Sequence, residues 1–207
     1  MRTAESSGVR GSDTAATHSE PRPDWRILRD AILESVATSP DAFLTTADQI
    51  KGESQEFWEG KLKSSDWVVV QRRDEIVGIA AAKSPGEIDS YASQQEACFI
   101  ESVWVAPCMR GKGVGKRLVT YLIEQKRWDG IRQFYLWVFG HNTPAIQLYK
   151  RMDFKPTGNP SALGVPEIQY RLEFDSALID DEEVGRNEAA RKRDWRKLEI
   201  TYRMLAS

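Results

Sequence analysis

Two hydrophobic periods alternate along the chain and divide it into helices and strands. From Asp24, an N-cap candidate, apolar residues recur at helical spacing until Ser39-Pro40 interrupts the pattern. A second helix is predicted within residues 46–63. The apolar positions are Trp25, Leu28, Ile32 and Val36 in the first helix and Phe57, Trp58 and Leu62 in the second.

The period then changes to that of β-strands. Residues 67–71 and 75–83 are two β-rich runs joined by residues 72–74, a pattern typical of an antiparallel hairpin. After a polar segment, residues 97–106 form a nearly continuous apolar run that Pro107 ends. Such a run predicts a buried, central strand.

The second half of the chain alternates helices and strands. A helical stripe follows a glycine-rich turn and leads into a β-rich run at residues 133–139. Asn142 and Pro144 then supply a cap and an early-turn proline for another helix. Two further strands are predicted near residues 154–157 and 168–174. The apolar positions of the helices are Val114, Leu118, Val119, Leu122 and Ile123, then Ala145, Leu148, Tyr149 and Met152.

Residues 175–207 form a C-terminal extension whose last part has two interpretations. A charged helix is predicted over residues 182–196. From Leu198 onward the apolar residues alternate as in a strand, but they also fit a helical stripe. Because EITYRM at residues 199–204 repeats EIQYRL at residues 167–172, we expect a strand at residues 198–204 that pairs with a sheet edge, in its own chain or across a dimer.

Composition limits the functional classes. The chain has 207 residues, 41% of them hydrophobic, and a net charge of -2, so we expect one domain and no overall attraction to nucleic acid or membranes. Residues 1–22 contain no Leu, Ile or aromatic residue, which predicts a disordered leader. The sequence shows neither a signal core nor a membrane-helix run, so a cytoplasmic protein is expected. The spacing of Cys98 and Cys108 suits neither a metal nor a disulfide scaffold.

Three glycines at alternate positions, Gly111, Gly113 and Gly115, lie between the predicted central strand and the next helix. Their spacing fits neither the Walker pattern nor the dinucleotide fingerprint. They nonetheless let backbone N–H groups converge at a helix N-terminus, where a polyanion would offset the crowding of four cations. A solvated basic turn is the alternative. The four cations are Arg110, Lys112, Lys116 and Arg117.

Two segments in this region have the spacing of known family motifs. RGKGVG at residues 110–115 follows VWVAP, and NTPAIQLYKRMDF at residues 142–154 follows after one strand. Together they resemble the phosphate loop and the Asn-x-x-Ala-x-x-Leu-Tyr helix of the GNAT superfamily, the acyl-CoA-dependent N-acyltransferases. Two departures are Asp153, which replaces the family's glycine, and the lack of a first strand before Trp25.

The resemblance implies a GNAT-like α/β (α+β) fold over residues 23–174, with a mixed, mostly antiparallel central sheet flanked by helices. It also implies acetyl-CoA as co-substrate, held by the free edge of the central strand and by the glycine loop, with Val103 N–H as oxyanion donor. The residues matched to coenzyme binding are Val103, Trp104, Val105, Arg110, Gly111, Lys112, Gly113, Val114, Gly115, Lys116, Asn142 and Tyr149.

Three side chains are candidates for the chemistry. By the same resemblance, Tyr149 would donate to the departing thiolate, with core packing as the alternative. Asn142 would touch the pantetheine amides as well as cap its helix, with capping alone as the alternative. Glu101, the one carboxylate in the apolar run ACFIESVWV, is a candidate base for the amine, directly or through water; an ion pair with Lys or Arg is the alternative. His141 and Cys108 are expected to have no catalytic role.

These observations predict an N-acetyltransferase that moves an acetyl group from acetyl-CoA to a primary amine of a small molecule or protein. A non-catalytic acyl-CoA-binding sensor is the alternative. Charges of both signs after residue 180 favour a solvated helix over a nucleic-acid site. By resemblance, the acceptor lies near residues 41–57 and 158–167, and neither segment identifies the amine.

Overall fold

The computed structural model describes residues 24–84, 96–159, 161, 164–173 and 200–205. The helices in these ranges are α1 (Asp24–Thr38), α2 (Ala47–Ile50), α3 (Gln55–Lys63), α4 (Val114–Trp128) and α5 (Thr143–Lys150). The strands are β1 (Asp66–Arg72), β2 (Glu75–Lys83), β3 (Ala97–Val105), β4 (Gln133–Phe139), β5 (Lys155–Pro156), β6 (Glu167–Glu173) and β7 (Ile200–Met204). The predicted leader at residues 1–22 and the charged helix at residues 182–196 lie outside the described residues.

The described strands form one sheet in the order β5-β6-β4-β3-β2-β1-β7. Neighbouring strands are antiparallel except β3 and β4, which are parallel. The predicted hairpin is confirmed by the pairing of β1 with β2, from Asp66 opposite Ala82 to Arg72 opposite Glu75. β3 lies in the middle of the sheet, as its apolar run predicts.

Helices cover the sheet on two faces. On one face, which we call the α1 face, the Trp67 indole donates to the Lys61 carbonyl on α3 at 2.9 Å, and the Trp104 indole donates to the Thr38 hydroxyl on α1 at 3.0 Å. Asp66 precedes Trp67 and so points to the opposite face. There it forms an ion pair with Lys126 of α4. The predicted stripe of α4 is buried, and its members are Val114, Leu118, Val119, Leu122 and Ile123.

The helix predicted within residues 46–63, around Phe57, Trp58 and Leu62, is confirmed as α3, and α2 is a second, short helix in that range that was not predicted. Thr46 and Gln49 form a reciprocal capping box at the start of α2. The Ser54 hydroxyl accepts from the Phe57 N–H at 3.3 Å and begins α3 anew. Gly52, a weak helix former, lies between them. The two caps therefore begin two separate helices in this range.

β7 closes the edge of the sheet beside β1. It pairs antiparallel with β1, from Val68 opposite Met204 to Arg72 opposite Ile200. The Leu205 N–H donates to the Trp67 carbonyl at 3.0 Å, and the Leu205 side chain is buried. The expectation of a strand that pairs with a sheet edge is therefore confirmed, within its own chain. β7 covers the outer edge of β1, which would otherwise present unpaired backbone groups.

Candidate active site

The parallel pair β3–β4 opens toward its carboxyl end. The paired residues are Ala97 with Gln133, Cys98 with Phe134 and Phe99 with Tyr135. Beyond Phe99, β3 still pairs with β2, but its other edge has no partner strand among the described residues. The splay that the family resemblance implies is present, and we call it the β3–β4 opening.

A bulge in β3 lies at this opening. Ile79 is opposite Trp104 and Ala81 is opposite Glu101, so β3 has one residue more than β2 over this interval. Ser102 has a φ of 55°, a left-handed conformation that is uncommon for a residue other than glycine. The bulge leaves Val103, whose N–H is the predicted oxyanion donor, outside the pairing with β2. Nothing in the sequence signals it, since no glycine marks the position.

The glycine loop leads from β3 into α4. Gly111 and Gly113 have φ values of 74° and 79°, so each requires the left-handed freedom of glycine. Gly113 is the N-cap of α4, without a capping side chain. Across residues 111–116, no backbone N–H donates to a backbone carbonyl of the described residues. These N–H groups at a helix N-terminus suit a diphosphate, so the residues present fit the expected coenzyme.

Gly115 serves a different purpose from the other two loop glycines. A Cβ built there would lie 3.3 Å from Leu148 Cδ2 and 3.5 Å from Val105 Cγ2. The missing side chain therefore lets the first turn of α4 approach β3 and α5 closely. Val114 anchors the same turn in the core.

Arg110 makes two hydrogen bonds on the α1 side of the loop. Its Nε donates to the Val105 carbonyl at 3.0 Å, and its Nη2 donates to the Ser39 hydroxyl at 2.7 Å. The guanidinium thus ties the end of β3 to the turn that follows α1. To contact a pyrophosphate, the role predicted for it, the Arg110 side chain would have to give up these bonds. Lys112 and Lys116, by contrast, are exposed cations of the loop.

His141 makes the matching connection at the end of β4. Its Nε2 donates to the Asp41 carbonyl at 2.9 Å, and its ring stacks on Phe139 with centroids 5.3 Å apart. The short helical turn Pro40–Ala42 is therefore joined to both strands of the β3–β4 opening, through Arg110 and through His141. Sequence reasoning assigned His141 no role, and no local signal pairs it with a residue 100 positions away.

The predicted side chains of α5 lie where the motif places them. Asn142 caps the helix, since its Oδ1 accepts from the Ala145 N–H at 3.3 Å. Tyr149 is buried beside Phe154, with ring centroids 5.8 Å apart, and burial raises the pKa of its phenol. The phenol therefore keeps its proton at neutral pH, as a donor to a thiolate must. Asp153 has a φ of 64° and so adopts the left-handed conformation expected at that position.

Glu101 faces the α1 side of the sheet. It stands in one row with Ala81 and Trp67 of the neighbouring strands, and its side chain is half-buried. The Ser65 hydroxyl donates to Glu101 Oε1 at 3.4 Å. No Lys or Arg of the described ranges forms an ion pair with this carboxylate, so the alternative interpretation finds no support there.

Other chemistry finds little support in the described part of the chain. No three His, Cys, Asp or Glu side chains gather there in a group that could hold a metal. None of its helices combines the length and apolar character needed to span a bilayer. Cys98 and Cys108 are free thiols, and burial raises the pKa of Cys98 to about 12, which makes it unreactive.

This chain is similar to known proteins in sequence and in fold. Residues 29–154 match the family model of the acetyltransferase (GNAT) family. Over 132 residues the chain is 31% identical to streptothricin acetyltransferase of Streptomyces lavendulae, covering 63% of this chain and 66% of that protein. Over 106 residues it is 28% identical to the L-methionine sulfoximine/L-methionine sulfone acetyltransferase of Pseudomonas paraeruginosa, covering 47% of this chain and 62% of that protein.

The chain thus spans less than two thirds of each of these relatives. Among solved structures, yncA of Salmonella typhimurium, determined with its cofactor acetyl-CoA, superposes with a TM-score of 0.56. The two chains are 20% identical, and the match covers 76% of this chain and 92% of that one. At this level of identity the likeness supports the fold.

Proposed function

Because this chain belongs to the acetyltransferase (GNAT) family, we propose that it transfers an acetyl group from acetyl-CoA to a primary amine. The observation that carries the proposal is the β3–β4 opening, which ends on a glycine loop whose N–H groups have no backbone partner among the residues that the structure describes. A thioester arm fits along the open edge of β3 while its diphosphate sits at the start of α4. Both features lie within the family match.

The coenzyme would be held mainly by backbone groups. The N–H groups of residues 111–116, with Lys112 and Lys116, suit the diphosphate, and the free edge at residues 103–105 suits the amide-bearing arm. Asn142 uses Oδ1 for its cap and retains its amide NH₂ for the same arm. Bound acetyl-CoA supplies a thioester carbonyl that an amine can attack.

Each chemical task is assigned to a residue within the family match. Glu101 takes a proton from the ammonium form of the acceptor, directly or through water, so that the nitrogen lone pair can form the N–C bond. Val103 N–H donates to the carbonyl oxygen as negative charge develops there. As the C–S bond breaks, the Tyr149 phenol donates to the departing sulfur, since its raised pKa keeps it protonated.

The proposal is tested by measuring thiol release from acetyl-CoA with a panel of amines. Tyr149→Phe should lower kcat by about 10- to 10³-fold with little change in KM for acetyl-CoA, because the lost bond forms as the thiolate departs. Tyr170→Phe, at another buried tyrosine, is the matched control and should keep the wild-type kcat. Equal kcat values in both variants would make Tyr149 a packing residue.

Two further outcomes bear on the activity itself. Tight acetyl-CoA binding without thiol release, with any amine offered, would favour the sensor alternative. The two relatives do not identify the acceptor of this chain, because one is named for streptothricin and the other for methionine sulfoximine and methionine sulfone. The acceptor must therefore be inferred from this chain's own residues.

A further inference from the structure

Aromatic residues line the α1 face of β4. Strand alternation places Tyr135, Trp137 and Phe139 on one face, and Phe99 of β3 stacks on Tyr135 with ring centroids 5.4 Å apart. Phe99 and Tyr135 are also the last pair that joins β3 to β4. The stacked rings therefore form the closed end of the β3–β4 opening.

A carboxylate and an indole stand immediately beyond this closed end. Glu101 lies two positions after Phe99 on β3, and Trp137 lies two positions after Tyr135 on β4, so both point to the same face. Both side chains are half-buried. A carboxylate and an aromatic face in a partly desolvated site are the groups that hold an ammonium ion, through charge and through cation–π attraction.

β6 brings a second carboxylate to the same face. Glu167 is paired with Phe139, so the two side chains project to the same side of the sheet. The Ser161 hydroxyl donates to Glu167 Oε2 at 3.4 Å. Partial burial raises the pKa of Glu167, against the opposing effect of this hydrogen bond. A cation beside the carboxylate would offset the cost of that burial.

The basic residue of β6 on this face is engaged elsewhere. Arg171 pairs with Glu173 at 3.3 Å, at the other end of the strand from Glu167. Gln169, on the same strand and face as Glu167, is buried, and its Oε1 accepts from the Thr157 hydroxyl and the Asn159 amide, each at 2.8 Å. Glu167 therefore lies on a fixed framework beside the aromatic stripe.

The geometry points to an acceptor that carries two positive charges, with its reacting amine between Glu101 and Trp137 and its second charge at Glu167. The inference rests on the proposed acetyl transfer and adds the substrate class. β3 and β6 are two strand spacings apart, at least about 10 Å, which an aliphatic diamine can bridge. Trp137 is then an acceptor-binding residue.

Three probes that differ only at the far end of the chain test the second charge. On the same five-methylene chain, cadaverine carries a second ammonium, pentylamine a hydrogen atom and 6-aminohexanoate a carboxylate. The wild-type kcat/KM should fall in that order, by about tenfold at each step, because one charge-assisted contact is lost and then reversed. Glu167→Gln should lower kcat/KM for cadaverine about tenfold and leave pentylamine unchanged.

Variants separate the two ends of the acceptor. Glu167→Lys should make aminohexanoate a better substrate than cadaverine. Glu34→Gln, at an exposed carboxylate of α1, is the control and should change nothing. Trp137→Leu should raise KM for cadaverine and pentylamine alike and leave the Kd of acetyl-CoA unchanged. Trp128→Leu, at an exposed tryptophan on α4, is its control.

Equal kcat/KM for cadaverine and pentylamine in the wild type, or equal losses for both in Glu167→Gln, would overturn the inference. Calorimetry of the coenzyme A complex with both amines keeps the test independent of turnover. If cadaverine does not bind more tightly than pentylamine, the acceptor class is wrong whether or not transfer occurs. Preferential cadaverine binding without thiol release would instead retain the acceptor class and overturn the proposed transfer.

Discussion

The glycine loop and the proposed acceptor site meet at β3 but are built in opposite ways. The loop is contiguous, since residues 110–116 supply its glycines, its cations and the start of α4. The proposed acceptor site takes Glu101 from β3, Trp137 from β4 and Glu167 from β6, so it exists only through the strand order. A site of the first kind can be recognised in one sequence, whereas a site of the second kind requires the register of three strands.

The largest effect is expected from a single substitution in the glycine loop. Gly113→Val should reduce acetyl-CoA affinity about 100-fold, because a β-branched residue is strained at a φ of 79° and covers the N–H groups of the loop. The acetyl-CoA-induced rise in Tm should largely disappear, and calorimetry would give the Kd.

Gly130→Val is the matched control for this experiment. Gly130 has a φ of 84°, follows the end of α4 and has nothing within 4 Å of a built Cβ. It should lower stability through the same backbone strain but keep the coenzyme-induced rise in Tm. A folded Gly113→Val protein with the wild-type rise would show that the coenzyme binds elsewhere.

The next effect concerns Glu101, on the acceptor side of β3. Glu101→Gln keeps the shape of the side chain but removes its basicity, so kcat/KM for the amine should fall by about 10²-fold while the Kd of acetyl-CoA is kept. The acidic limb of the pH profile should disappear or shift, and high pH should restore part of the rate because the amine is then already neutral. A variant with the wild-type acidic limb and only a lower Tm would assign Glu101 to structure.

The features that the sequence could predict are those that depend on residues close together along the chain. Helix caps at Ser54 and Asn142, the stripe of α4 and the β1–β2 hairpin depend on neighbours along the chain, and the last three were predicted. The bulge at Ser102 was not, because no local residue demands it. The predicted roles of Val103, Tyr149 and the loop residues in coenzyme binding stay predictions.

Distant polar contacts were the least accessible features. The bonds of Arg110 to Ser39 and of His141 to Asp41 join residues far apart in sequence, and an exposed Arg or His has many partners open to it. The motif assigned Arg110 to the pyrophosphate, and His141 was expected to have no catalytic role. Both contacts depend on the tertiary position of Ser39 and Asp41, which no local pattern gives.

Substitution of Arg110 should have a moderate effect, and it should show whether Arg110 supports acceptor binding or coenzyme binding. Arg110→Gln removes the fork that joins Val105 to Ser39, so KM for the amine should rise severalfold while the Kd of acetyl-CoA changes less. Lys112→Gln should do the reverse, with weaker and less salt-dependent coenzyme binding and an unchanged KM for the amine. If both variants weaken acetyl-CoA binding equally, Arg110 binds the pyrophosphate as the motif predicts.

The smallest effect on activity is expected at the edge farthest from the site. A chain ending at Glu199 lacks β7, so the β1 amides that donate to β7 should exchange rapidly and Tm should fall, because β1 becomes an open edge. The kcat should stay within about twofold, since β2 still separates β1 from the β3–β4 opening. Arg203→Gln is the control, because it keeps β7 and removes the ion pair with Asp24, so the β1 amides should stay protected. A large loss of kcat in the shortened chain would mean that the order of the opening depends on β7. Unchanged β1 exchange would contradict the pairing of the two strands.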